Sequence, residues 1–142
     1  MFHPWREVRA RPDVTVTFIE LPDGLLGFCE HQTRTIFIAK GLRQRQRRAV
    51  LVHELTHLDR GPVADCDHLA GKEEATVERM ASERMIELDA LVHALLWSQD
   101  EHELAEELWC DVATVRDRIA SLTFHERAWV EAEIDRREAT LP

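Results

Sequence analysis

The sequence predicts an α+β fold: a small N-terminal three-stranded sheet packed on one long helix, followed by a helical C-terminal part. Three observations predict it. Runs rich in β-branched and aromatic residues occur at Val14–Leu21, Leu25–Glu30 and Thr35–Ala39, all before residue 40. From Ala49 onward apolar residues recur at spacings of three and four, as on a helix face. In the helical remainder, Gly61-Pro62 stops one helix and Thr123 with Glu126 forms the capping-box pattern that starts another.

In chain order, residues 1–12 read as an N-terminal arm with two prolines and Trp5. Val14–Leu21 alternates as a half-buried strand does, and Pro22-Asp23-Gly24 is a turn signal. Two further strands follow. Ala49, Val50, Leu51, Val52, Leu55 and Leu58 make the apolar side of the first long helix. A second long helical pattern opens at Lys72-Glu73-Glu74, which leaves Asp65-Cys66-Asp67-His68 in a loop. Glu103 through Ile119 has the spacing of a helix-turn-helix, with Trp109 where a turn glycine is usual. Trp129, Val130 and Ile134 supply the apolar side of the last helix. Residues 1–98 are expected to form a core and 99–142 a helical extension packed on it as one domain.

At 142 residues the chain suits a single domain with a real core. Its net charge of −9 disfavours non-specific binding to nucleic acid or anionic membranes. No apolar run reaches membrane-spanning length, and Met1–Glu7 lacks the apolar core of a signal peptide. Cys29, Cys66 and Cys110 are odd in number and widely spaced, which fits free thiols in a reducing cytoplasm.

The chemistry is concentrated in His53-Glu54-Leu55-Thr56-His57. On a helix, residues four apart share a face, so His53 and His57 can offer imidazoles to one ion. Glu54 is turned about 100° from His53 and is free to act on a water instead. Two imidazoles, a third protein ligand and one open position define a catalytic zinc site. A third ligand is expected on the next helix. Glu74 lies on an i, i+4 stripe with Glu78, Ala81 and Met85, and an inward carboxylate beside two histidines is costly without a cation. Glu78 could then accept an imidazole N–H and fix its tautomer. Glu73 is the alternative ligand, and acidic decoration of a helix N-terminus is the alternative to any ligand role. Asp65, Cys66, Asp67 and His68 could also approach a metal.

The motif with Ile36-Phe37-Ile38 before it and Glu74-Ala75-Thr76-Val77-Glu78, Ala81-Ser82 after it resembles the ImmA/IrrE group of small bacterial and phage metallopeptidases. The resemblance covers about residues 14–98. Glu78 stands where that group usually has Asn or Asp, and Met80 where it has Phe. It implies a zincin-like fold, Zn2+ bound by His53, His57 and Glu74, and Glu54 as general base. It also implies a protein partner, such as a phage or mobile-element repressor, cleaved in the cytoplasm. An electrophilic helper is usual in such sites; the chain has no tyrosine, which leaves His68 or an arginine.

Two features remain with alternatives open. Arg43, Arg45, Arg47 and Arg48 crowd the start of the zinc-motif helix, where cations oppose the dipole. They are either a solvated face answering nearby acids or a patch for an acidic partner or nucleic acid. The helix-turn-helix-like segment is either a packing unit or a DNA reader. Its glutamates would repel phosphate, so DNA binding is not expected. The second hypothesis is a regulatory interaction module with structural zinc that binds protein or DNA through its C-terminal helices. The oligomeric state is not legible.

Overall fold

The computed structural model describes residues 1–142. It is α+β, with one three-stranded sheet and seven helices. In chain order these are α1 (Pro4–Arg9), β1 (Thr15–Ile19), β2 (Gly27–Glu30), β3 (Thr35–Ala39), α2 (Gln44–Arg60), α3 (Asp67–Met85), α4 (Leu88–Leu95), α5 (Glu101–Glu107), α6 (Val112–Ala120) and α7 (Phe124–Glu138). No helix is long and apolar enough to cross a membrane.

The sheet order is β1-β3-β2, with β1 parallel and β2 antiparallel to β3. Ile36 and Ile38 point alternately with Phe37, and only the two isoleucines are fully buried. They meet Val50, Leu51, Leu55 and Leu58 of α2 in the first core cluster, with Val14 closing it. On the opposite face, Phe37 stacks on Phe28 with ring centroids 4.6 Å apart.

A second cluster begins on another side of α2. Val52 joins Ala81 and Met85 of α3, Leu91 and Ala94 of α4, and Leu104, Leu108, Cys110 and Val115 of the α5–α6 region. Residues on both sides of position 98 therefore share one core. Because α2 is buried on two sides, its histidines are held in place by packing on both.

Three expectations change. The arm at 1–12 contains α1: Pro4 takes the first helical position, which pre-sets its φ, and Glu7 in the first turn suits the dipole. The second long helix starts at Asp67 rather than Lys72, so Cys66 is its N-cap position and Asp67 and His68 lie in its first turn rather than in a loop. An Asp at this end complements the dipole, a local signal that outweighs the polar, loop-like composition. In α7, Val130 is buried but Trp129 is exposed, so the apolar side is narrower than its spacing suggests. The Thr123–Glu126 capping box is present in both directions.

Trp109 has φ +55°, a left-handed conformation that glycine adopts most readily. It forms the turn between α5 and α6, so the backbone makes the tight turn without the usual glycine. Arg48 holds it there. This arginine is almost fully buried, donates to the Trp109 carbonyl and to the Phe2 carbonyl at 2.9 Å, and sits 5.7 Å from the Trp109 ring centre. Arg48 is thus a clamp between chain segments and not part of a surface patch.

Gly27 places the sheet against α2. A Cβ built there would lie 2.6 Å from Val50 Cγ1 and 2.8 Å from the Phe37 carbonyl oxygen. Neither neighbour yields easily: one is a stiff β-branched side chain, the other is backbone. Gly27→Ala is expected to lower stability by about 1–3 kcal/mol, as overpacking does. The measurement is a urea melt; an unchanged midpoint at unchanged slope would show that β2 moves freely from α2.

Candidate metal centre

His53 and His57 lie on one face of α2, with ring centroids 4.9 Å apart. Glu74 of α3 reaches both. Its Oε1 is 2.6 Å from His53 Nε2 and its Oε2 is 3.0 Å from His57 Nε2. One ligand atom from each of the three side chains converges within the span that a single metal ion occupies. The donor set of two imidazole nitrogens and one carboxylate fits a divalent ion of zinc type. Burial lowers the His57 pKa, which favours the neutral, ligating imidazole.

Glu73 and Glu74 meet different partners on α2. Arg60, in the last turn of α2, takes Glu73 in a two-pronged ion pair, with Nη2 to Oε2 at 3.0 Å. That holds Glu73 on Arg60 and leaves Glu74 to the histidines. Dipole decoration also fails as an explanation, since α3 starts six residues before Glu73 and both acids lie beyond its first turn.

Glu54 faces the same cavity but is only 6% exposed. Burial, reinforced by the charge of Glu74 and opposed by His53, pushes its carboxyl up to about 7. A carboxylate tuned to that range is suited to proton transfer near neutral pH. Cys29 of β2 lies beside it. Burial, then the Glu54 charge, pushes this thiol up to about 12, so it is a neutral neighbour.

The cavity is about 330 Å³. Leu26 and Gly27 before and in β2 form one wall, α2 and α3 supply His53, Glu54, Glu74 and Glu78, and α6 closes the far side with Thr114 and Asp117. Glu78 sits one turn beyond Glu74, with no hydrogen bond to either imidazole. His68 is exposed on the first turn of α3 and does not line the cavity, and Cys66 is likewise exposed. The metal-type cluster therefore excludes the 65–68 segment.

Asp117 and Thr114 were not legible as site residues. The available signal is a polar pair: Thr114 and Asp117 lie three apart beside the small Ala113, opposite the apolar Val115–Ile119 side. The helix that would read a DNA groove in a helix-turn-helix instead covers the metal cleft. Its two arginines turn away. Arg116 pairs with Glu101, and buried Arg118 donates to the Ile86 carbonyl at 2.8 Å.

A family model described as "Putative metallopeptidase family (DUF6782)" matches residues 1–136. No curated protein and no solved structure matches.

Proposed function

The chain belongs to the metallopeptidase family matched over residues 1–136, and from that premise we propose that it is a zinc-dependent endopeptidase of ImmA/IrrE type with a zincin-like fold. The observation that carries this reading is the convergence of His53, His57 and Glu74 beside a buried Glu54 that faces the same cavity. His53, His57 and Glu74 would hold the ion, with Glu54 left free. Bound zinc supplies Lewis-acid polarisation of a peptide carbonyl and makes water a stronger acid.

The chain's own residues do the rest. Glu54 takes the proton of the attacking water on a carboxylate oxygen and passes it to the leaving amine. The α2 packing on two cores fixes the imidazoles, and the cavity walls exclude bulk water from Glu54. The edge of β2 beside the cavity can pair with an extended segment, which offers main-chain hydrogen bonds to a peptide. A cytoplasmic regulatory protein with an exposed linker, such as a phage or mobile-element repressor, suits that edge. Duplex DNA is not a ligand in this reading, since the groove-reading position of α6 is spent on the cleft. No arginine lines the cavity and its one histidine is His53, so a bound metal would have to supply the stabilisation of a developing oxyanion.

The test is co-expression with repressors encoded nearby. The wild-type chain is expected to yield defined fragments, and a chelator added to the purified pair should stop the cut while re-added zinc restores it. Fragments formed equally with chelator present would remove the metal from the reaction.

A further inference from the structure

The cavity extends past the metal ligands to a region that neither ligation nor proton transfer uses. Glu78 lies one helical turn, about 6 Å, beyond Glu74 on α3. Asp117 of α6 lines the same cavity. Val50, Ala81 and Met85 supply apolar lining to the same cavity. Neither carboxylate forms an ion pair, although the chain's arginines pair with other acids throughout. Arg116 and Arg118, on either side of Asp117, are engaged with Glu101 and with Ile86 and Glu126. No lysine or arginine lines the cavity at all. Glu54, more than nine-tenths buried, lines the neighbouring part of the same cavity and forms no ion pair with a lysine or arginine.

Resting on the peptidase reading above, we propose that this region is a specificity subsite that takes a lysine or arginine side chain flanking the scissile bond. The apolar walls fit an alkyl stem, and Glu78 and Asp117 receive the cationic head at its end. A long basic side chain leaving a residue held at the metal has about one helical turn to cross, which is the offset between Glu74 and Glu78. An acidic or short polar side chain gains nothing there, and an acidic one is repelled. Helix α6 thus acts as the selecting wall of the cleft.

The test needs no known substrate. L-arginine hydroxamate, L-citrulline hydroxamate and L-norleucine hydroxamate share a zinc-chelating end and differ at the side chain. Citrulline keeps the shape of arginine and removes its charge. Calorimetric titration of zinc-loaded protein is expected to show the arginine compound bound at least about tenfold more tightly than the citrulline one, the scale of a charge-assisted hydrogen bond. Asp117→Asn and, separately, Glu78→Gln should shrink that margin at full zinc content and an unchanged thermal midpoint. Equal binding of all three compounds would overturn the proposal, as would a norleucine compound that binds as well as arginine. So would a margin that survives both variants, or the failure of all three to bind a zinc-loaded chain. A charge-dependent margin in a protein that cuts no partner would leave the subsite standing and refute the peptidase reading.

Discussion

Glu54→Gln should lower the rate of peptide cleavage about 10²- to 10⁴-fold while the protein keeps its metal, because general-base help is worth that much. The substitution preserves size and shape. It replaces a carboxylate that burial holds near pKa 7 with an amide that cannot take a proton in this range. Glu54 is not among the three converging ligand atoms, so metal content should not move. Stability should hold or rise slightly, since a buried, unpaired carboxyl is exchanged for a neutral group. The measurement is the rate of fragment formation at matched zinc content. Equal rates in both proteins would take Glu54 out of the chemistry and leave the cavity without a base, as no other unliganded carboxylate there is as deeply buried.

Glu74→Ala should abolish stoichiometric metal binding, where the wild-type chain is expected to carry about one zinc per protein. Two imidazoles remain, and two neutral ligands at an open cleft hold zinc weakly compared with three that include a charge. The carboxylate also carries the position of both rings, since it bridges His53 Nε2 at 2.6 Å and His57 Nε2 at 3.0 Å. Its removal should leave the fold intact, because the side chain is about half exposed and lies outside both core clusters. Elemental analysis after gel filtration reads the result, with circular dichroism as the check on folding. Full zinc in Glu74→Ala would transfer the ligand role to Glu78, the next carboxylate in the cavity. Glu73 would be a poor substitute while Arg60 holds it.

The two variants separate the functions of neighbouring groups. One should lose rate and keep metal, the other should lose both. A protein in which both variants lost metal would show that Glu54 supports the ligands through packing. That outcome would point to the α2 register as the sensitive element.

Much of the fold and of the centre follows from local rules that the sequence carries openly. Three strands are marked by β-branched runs, and α2 by the spacing of its leucines and valines, because strand and helix periodicities are short-range properties. The i, i+4 pairing of His53 with His57 and the offset of Glu54 follow from helix geometry alone. The end of α2 at Gly61, with φ +87°, is likewise a one-residue conformational effect. What only the tertiary structure decided depends on contacts between distant residues. Glu73 and Glu74 are adjacent and chemically identical, and Arg60 on another helix separates them. Arg48 reads as one of four surface cations until the Trp109 and Phe2 carbonyls bury it. His68 carries the right chemistry and lies on the wrong side of α3. Asp117, in a segment whose pattern resembles a DNA reader, becomes a wall of the metal cleft because Val115 is drawn into the core with Val52 and Ala81. Apolar burial chooses which face of α6 turns inward, and the polar residues at its flank are carried to the site by that choice.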